Sequence, residues 1–266
     1  MPEDSGRLYD WQSLADRVRP LRLHHTRATT STSDWAKREA ESGAARAPAV
    51  FLAESQSSGR GRGTNTWWSP HGNVAATFVM AQNTHIAFGL MPLLAGLAVR
   101  RALARLTARQ EIDLKWPNDL VADGRKAAGL LCERLRQVDL IGVGANVNAG
   151  GTEAPAELRE RIVSLRELTG RVWDLTEVVC EISREMYRVF SLESDIAVRG
   201  MLEEYSRHHW PTGKMIEVID TDRLPRVAGR CGGVDSQGRL IVKTGQQTHS
   251  LLTGSIVSVT PATDSA

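Results

Sequence analysis

The clearest structural pattern lies at residues 112–147, IDLKWPNDLVADGRKAAGLLCERLRQVDLIGVGANV. Its apolar runs are short and are separated by turn-forming residues at Pro117-Asn118-Asp119 and Asp123-Gly124. Four strands are therefore predicted, over Ile112–Trp116, Leu120–Ala122, Ala127–Arg134 and Val138–Val147. Because no helical segment separates them, the pattern indicates a meander and not a repeated strand–helix crossover.

The residues before this meander predict two further strands and two helices. Apolar and small residues follow helical spacing from Ser31, Thr32 or Ser33, any of which could be the N-cap. The predicted elements are a helix over Ser31–Ser42, a strand over Ala49–Ala53, a long loop over Ser55–Pro70, a strand over Asn73–Met80 and a helix over Ile86–Leu106. Helices are also predicted after the meander, over Ala156–Leu168, Thr176–Ser191 and Ile196–His208.

The pattern changes after Trp210-Pro211-Thr212-Gly213, where short β runs replace helices. These runs are Met215–Ile219, Val227–Val234, Leu240–Thr244, Thr248–Leu252 and Ile256–Val259. Closely spaced short strands are typical of a small barrel. The sequence thus predicts an α+β fold, with a mixed-sheet domain with helices on one side over residues 1–211 and a small barrel domain over residues 212–266.

Composition narrows the class of protein. The 266 residues are 41% hydrophobic and 24% charged, as in ordinary globular proteins. A formal net charge of +2 is too small for the broad field that non-specific nucleic-acid binding requires. No apolar run is long enough for a membrane span or signal peptide, which predicts a cytoplasmic protein. Isolated Cys132, Cys180 and Cys231 predict reduced thiols, with Cys132 buried.

The segment Gly59-Arg60-Gly61-Arg62-Gly63 predicts an anion site. Alternating glycines let the backbone approach a ligand, while guanidinium groups supply planar, bidentate donors to phosphate or carboxylate. A flexible Arg/Gly-rich surface loop would have the same composition. Its position directly after a buried strand favours the anion site.

Two lysines lie next to turns of the meander. Lys115 precedes Trp116-Pro117-Asn118-Asp119, whose polar residues would also suit a plain hairpin turn. Lys126 is followed by small residues up to Gly129, so it could lie along the floor of a pocket, although solvated edge lysines are common.

The run Gly142-Val143-Gly144-Ala145-Asn146 resembles a dinucleotide fingerprint only superficially, because the third glycine and the following helix are absent. Glycines inside a strand can permit close approach of a flat ligand, and they can equally mark a β-bulge. In the first case, Asn146 could hydrogen-bond the ligand.

Together these segments, in this order, resemble the biotin protein ligases, also called holocarboxylase synthetases. The resemblance runs from about Thr30 to Leu168 and is most specific in the Gly-Arg-Gly-Arg and Lys-Trp-Pro-Asn-Asp motifs. It implies a catalytic domain of the class II aminoacyl-tRNA synthetase-like, biotin/lipoate ligase type with an SH3-like C-terminal barrel. It also implies ATP-dependent transfer of biotin to a lysine, through biotinyl-5'-AMP.

The resemblance assigns roles residue by residue. Arg62 and Lys126 match the catalytic cations. Biotin binding is assigned to Ser31, Thr32, Ser33, Gln56, Gly59, Arg60, Gly61, Arg62, Lys126 and Gly129. Adenylate binding is assigned to Arg62, Trp67, Lys115, Asn118, Asp119, Lys126 and Asn146, with Mg²⁺ near Asp119. The implied partner is a biotin carboxyl carrier domain of a biotin-dependent carboxylase, and the implied form is a monomer or homodimer.

Three departures from the family pattern affect these expectations. Ser33 stands where the family usually has asparagine, and Thr64 and Asn65 replace a further glycine and arginine. The loop therefore lacks one cation, which bears on how tightly the adenylate is retained. The segment before Ser31 is too short for the winged-helix domain of some relatives, so no DNA binding is expected.

Other functions fit parts of the sequence. A lipoate or octanoyl ligase has a similar catalytic fold but does not need both motifs. A nucleic-acid-binding module could use the Arg/Gly loop and the barrel. A non-catalytic, biotin-sensing relative would be compatible with the changes at Thr64 and Asn65.

Overall fold

The computed structural model describes residues 8–219 and 226–262 and contains two main β-sheets. The first sheet has seven strands, all before Thr212. These are β1 (Arg22–Thr29), β2 (Ala49–Gln56), β5 (Val74–Ala81), β6 (Asp113–Lys115), β7 (Asp119–Ala122), β8 (Arg125–Arg134) and β9 (Val138–Ala145). Two short strands, β3 (Gly59–Arg60) and β4 (Thr66–Trp67), form a separate hairpin between β2 and β5.

The seven-stranded sheet is mixed and has the order β1-β2-β5-β9-β8-β7-β6. Only β1 and β2 run parallel, and the other neighbours are antiparallel. The predicted meander is therefore confirmed as β6 to β9. The strand β9 lies at the centre, where it pairs Gly144 with Ala75 on one side and with Gly129 on the other.

Most helices cover one face of this sheet. The helices are α1 (Trp11–Arg17), α2 (Thr32–Glu41), α3 (Met91–Thr107), α4 (Leu165–Thr169), α5 (Leu175–Phe190) and α6 (Asp195–Arg207). Alternate residues of a strand point to opposite faces, so Val50 and Leu52 join the core under α3 and α5 while Phe51 points the other way. Phe51 packs with Ala36 of α2 in a smaller cluster. This second face is left partly open beyond α2.

The second sheet has the order β13-β12-β11-β10-β14 and is antiparallel. Its strands are β10 (Met215–Ile219), β11 (Val227–Val234), β12 (Leu240–Thr244), β13 (Gln247–Leu251) and β14 (Ser255–Thr260). Trp116 Nε1 donates to the Gly238 carbonyl (3.0 Å), which joins the two sheets. The α+β class is confirmed, whereas the barrel closure and the division at residue 212 stay predictions.

One predicted helix and one predicted burial were wrong. Residues 156–161 form turns, Ile162 forms a β-bridge with Lys126, and helix occurs only at α4, not over the whole of Ala156–Leu168. The backbone there pairs with β8 instead: Lys126 N donates to Arg161 O (2.8 Å) and Val163 N donates to Lys126 O (3.0 Å). Cys132 is only half-buried, while Cys180 and Cys231 are buried.

Two elements near the N-terminus had no counterpart in the sequence prediction. Strand β1 is an edge strand, and its polar, half-exposed residues lack the alternation that predicts a strand. Helix α1 spans only two turns, with Asp10 as its N-cap and Leu14 as its buried residue. Both depend on tertiary contacts that local patterning does not encode.

Candidate active site

A cavity of about 350 Å³ lies on the partly open face of the large sheet, beside the N-terminus of α2. Its lining combines polar side chains, cations and the glycines of β8 and β9. The sequence-predicted residues among them are Thr32, Ser33, Gln56, Arg60, Gly61, Arg62, Trp67, Asn118, Asp119, Lys126 and Gly129. Four other predicted residues, Ser31, Gly59, Lys115 and Asn146, lie outside this lining.

The end of the cavity at α2 is a network of buried hydroxyl and amide groups. Ser31 caps the helix by accepting from Asp34 N, which turns Thr32 and Ser33 toward the sheet. Gln56 Oε1 accepts from both Thr32 N (2.8 Å) and Thr32 Oγ1 (3.0 Å), and Thr77 Oγ1 donates to Thr32 Oγ1 (3.0 Å). Such a fixed set of donors and acceptors suits a small polar ring.

The Gly-Arg-Gly-Arg segment forms the β3–β4 hairpin at the mouth of the cavity. Gly59 pairs with Trp67, and a Cβ at Gly59 would come within 2.6 Å of the Trp67 carbonyl oxygen. Gly61 N donates to Asn65 O (2.8 Å), and both Asn65 N and Asn65 Nδ2 donate to Arg62 O. Asn65, one of the departures from the family pattern, thus stabilises the turn of the hairpin.

The two arginines of this hairpin contact different parts of the protein. Arg60 Nη1 donates to Asp34 Oδ1 (2.8 Å) and Glu133 Oε2 (3.2 Å). Partial burial lowers the pKa of Arg60, but the nearby carboxylates outweigh it, so the pKa is raised overall. Arg62 Nη1 donates to Asn118 Oδ1 (3.3 Å) and to the Gly254 carbonyl (3.1 Å). Arg62 therefore connects the hairpin to both sheets.

Lys126 lies against the opposite wall. Its Nζ is 2.6 Å from Asp119 Oδ1 and 5.4 Å from the Trp67 ring centroid, within cation–π range. Burial lowers the pKa of Lys115, and Lys126 also lowers it while Asp119 raises it. Lys115 is thus coupled to this pair without lining the cavity.

The glycines of β8 and β9 make room for Trp67. A Cβ at Gly144 would lie 2.2 Å from Trp67 Cε2, and one at Gly129 would lie 3.0 Å from Trp67 Cζ3 and 2.8 Å from Lys126 Cε. The indole therefore lies flat on the sheet. Its Nε1 is buried and has no hydrogen-bond partner among the described residues. This atom faces Gly144, where an added Cβ would lie 2.5 Å from it.

Asn146 supports the site from beneath. It is 2% exposed, its Nδ2 donates to Lys126 O (3.1 Å) and its backbone N donates to Ala127 O. Asn73, which the sequence did not single out, accepts from Val147 N (2.9 Å) and Ala149 N (3.1 Å). These bonds fix the chain where it leaves β9, beside Lys126.

Arg161 is a lining residue that the sequence prediction missed, because it fell inside an expected helix. Its side chain is exposed and forms no ion pair or hydrogen bond within the described part of the chain. Ser255 of β14 also lines the cavity. Arg60, Arg62, Lys126 and Arg161 therefore surround one space with positive charge, against the single carboxylate of Asp119 in the described lining. That arrangement suits an anionic ligand.

Comparison with known proteins gives the same family as the sequence motifs. The model of the biotin/lipoate A/B protein ligase family matches residues 26–148. A biotin–[acetyl-CoA-carboxylase] ligase from Mycobacterium tuberculosis is 31% identical over 241 residues, which cover 86% of both chains. The chain belongs to the biotin protein ligase family.

Other biotin protein ligase relatives extend the comparison. A bifunctional ligase/repressor BirA from Bacillus subtilis is 27% identical over 78% of this chain and 65% of its own length. The structure of the Aquifex aeolicus biotin protein ligase in complex with biotin and ATP has a TM-score of 0.77, 24% identity and coverage of 90% and 99%. This likeness confirms the fold. Among residues 8–219 and 226–262, no helix has the length and apolar character of a membrane span.

Proposed function

We propose that this biotin protein ligase joins biotin to one lysine of a biotin carboxyl carrier domain, using ATP and forming biotinyl-5'-AMP. The observation that supports this most directly is the group of four cations around a cavity that also has a polar end at Thr32 and Gln56. Relatives and neighbours with ligase names, some with biotin, ATP or biotinyl-5-AMP bound, agree with it.

In the first step, a carboxylate oxygen of biotin attacks the α-phosphorus of ATP, and pyrophosphate leaves. Both reactants are anionic, so the main tasks of the protein are positioning and charge neutralisation. Lys126 and Arg62 are the proposed catalytic cations, and Arg161 is a further cation for the phosphates. Lys126 is held at the wall by Asp119 and by the small residues that follow it.

In the second step, the acceptor lysine amine attacks the acyl carbon of the adenylate. The bond to AMP breaks, AMP leaves, and the amine loses a proton. The hairpin over the cavity would exclude water from the anhydride in the interval between the two steps.

The remaining predicted residues have supporting roles in this proposal. Ser31, Thr32, Ser33, Gln56 and Gly129 would form the biotin end, together with the backbone of Gly59 and Gly61. Trp67, Asn118 and Asn146 would form the nucleotide end. Lys115 would add positive charge near the Asp119 carboxylate. Seven of these residues line the cavity, namely Thr32, Ser33, Gln56, Gly61, Trp67, Asn118 and Gly129.

Mg²⁺ belongs to the proposal as a companion of ATP. The ion usually binds one or two carboxylates and the substrate phosphates, and Asp119 supplies such a carboxylate beside Asn118. No cluster of three or more His, Cys, Asp or Glu that could hold a metal occurs among the described residues, which fits an ion carried by the nucleotide. When bound, it would neutralise phosphate charge.

The proposal extends to location and assembly. The three cysteines are unpaired, as in reducing compartments, which supports a cytoplasmic enzyme. Residues 1–211 would form the catalytic domain and residues 212–266 an SH3-like domain that completes the site through Gly254 and Ser255. The enzyme would act as a monomer or homodimer, without binding DNA.

The decisive experiment incubates the protein with biotin, ATP, Mg²⁺ and a biotin carboxyl carrier domain. Mass spectrometry should show the acceptor heavier by one biotinyl group, and an acceptor whose target lysine is replaced by arginine should stay unmodified. Lipoic and octanoic acids in place of biotin test the lipoate ligase alternative. Biotin binding without any adenylate would instead indicate a biotin-sensing relative.

The Lys126→Ala variant provides a sharper test of the assigned chemistry. We expect pyrophosphate release in the first step to fall by about a hundredfold, because a charge-assisted contact of roughly 1.5 to 3 kcal/mol is lost together with positioning. Pyrophosphate release at the wild-type rate would show that Lys126 is not a catalytic residue. Lys243→Ala is the matched control, since Lys243 is exposed on β12 and lies outside the cavity lining.

A further inference from the structure

Arg60 has two carboxylate partners on two separate elements. Asp34 is in the first turn of α2, and its Oδ1 accepts from Arg60 Nη1 at 2.8 Å. Glu133 is near the end of β8 and accepts from both Nη1 (3.2 Å) and Nη2 (3.4 Å). Neither carboxylate lines the cavity. The two carboxylates therefore meet the cavity lining through Arg60, and Glu133 Oε1 also lies 3.9 Å from Lys37 Nζ.

The hairpin that carries Arg60 needs such attachments. Strands β3 and β4 have two residues each and form a sheet separate from the seven-stranded one. A hairpin of this size is at most marginally stable alone in water. The Arg60 contacts attach it to α2 and β8, while the Arg62 contacts attach it to Asn118 and Gly254.

We propose that Asp34 and Glu133 are positioning residues that hold the β3–β4 hairpin over the cavity through Arg60 and so slow escape of the adenylate. The effect on the adenylate rests on the proposed function, whereas the attachment of the hairpin does not. This ion-pair cluster offsets the arginine that the loop lacks at Asn65: retention depends on the Arg60 attachment as well as on cations that touch the ligand.

The size of the effect follows from exposure. The Arg60 side chain is 38% exposed, and those of Asp34 and Glu133 are 41% and 24% exposed. Ion pairs with this exposure shift an equilibrium by roughly twofold to fivefold, and salt weakens them. Removal of both pairs should therefore open the hairpin about tenfold more often, and the difference should diminish at high salt.

The first experiment measures hydrogen exchange in the ligand-free protein and needs no enzymatic activity. In Asp34→Asn, Glu133→Gln and the double variant, the amides of Gly61 and Asn65 should exchange faster, by roughly threefold in each single variant and about tenfold in the double. Glu177→Gln is the matched control, because it removes a similarly exposed ion pair to Arg17 on the helical side. It should leave both amides unchanged.

The second experiment measures dissociation of preformed biotinyl-5'-AMP. At low salt, biotinyl-5'-AMP should dissociate about tenfold faster from the double variant than from the wild type. Its dissociation rate from Glu177→Gln should equal that from the wild type. Unchanged exchange at Gly61 and Asn65 overturns the proposal, as does faster exchange with unchanged dissociation. If the wild type forms no adenylate, the proposed function fails, and the exchange data still decide whether these carboxylates hold the hairpin.

Discussion

At the scale of single residues, the site depends as much on glycines, which have no side chain, as on charged residues. Gly129, Gly142 and Gly144 border the cavity, and added Cβ atoms would meet Lys126, Ser33 and Trp67 within 3.0 Å. The flat indole of Trp67 is therefore compatible only with glycine beneath it. Gly144 belongs to the run that resembles a dinucleotide fingerprint only superficially, and its lack of a side chain leaves room for the Trp67 indole.

Gly144→Ala tests this arrangement. The new methyl group would lie 2.2 Å from Trp67 Cε2, so the indole must move, and the affinity for ATP should fall about tenfold or more while biotin binding changes little. Titration calorimetry with each ligand measures both. Gly200→Ala in α6 is the control: its Cβ meets nothing within 4 Å, and it should stabilise the fold by about 0.5–1 kcal/mol. Unaltered ATP binding in Gly144→Ala would contradict the role of Trp67.

At the scale of elements, a short helix fixes a wall of the cavity. Ser164 and Glu167 form a capping box at the start of α4: Ser164 Oγ accepts from Glu167 N, and Glu167 Oε2 accepts from Ser164 N (2.8 Å). Gly151 N also donates to Glu167 Oε2 (3.3 Å). The cap therefore holds both ends of the turn region that presents Arg161.

Loss of this cap should affect both stability and binding. Ser164→Ala should reduce the free energy of unfolding by about 1 kcal/mol and weaken ATP binding, because the turn region that carries Arg161 loses one of its attachments and keeps the backbone pairing with Lys126. Urea unfolding and calorimetry measure the two effects. Ser194→Ala removes the corresponding cap of α6 and is the control, with a similar loss of stability and unchanged ATP affinity. Equal ATP affinities in both variants would mean that the cap of α4 does not position Arg161 for ATP.

Sequence patterns predicted the elements whose signals are local. The meander β6–β9, the helices α3, α5 and α6 and the strands β10 to β14 follow from turns, periodicity and caps. Eleven of the predicted site residues line the cavity, and five of them come from the two motifs. Residues 156–163 could not be predicted in this way, because their backbone pairs with Lys126, a contact distant in sequence. Arg161, β1 and the carboxylate partners of Arg60 also could not be predicted, because they too depend on contacts between residues distant in sequence.

At the scale of the whole molecule, the junction between the two sheets contains a buried histidine. His209 follows α6, pairs with Leu114 of β6 and is only 4% exposed. Its Nδ1 is 2.8 Å from Thr212 Oγ1, and its Nε2 is buried without a partner in the described residues. Burial lowers the pKa of His209 to about 3, so the ring stays neutral in the folded protein.

This histidine should make the junction sensitive to acid. The unfolded chain binds a proton at His209 near pH 6.5, whereas the folded protein does so only near pH 3, so stability is complete above pH 6.5 and falls as pH decreases between these values. At pH 5.5 the loss of stability from this residue should be on the order of 1 kcal/mol. Urea unfolding of the wild type and His209→Gln at pH 7.5 and 5.5 isolates the effect. The variant should lose less stability on acidification than the wild type, even if it is less stable at pH 7.5. Equal losses in the two proteins would mean that His209 becomes protonated without unfolding, and that the junction opens to water on its own.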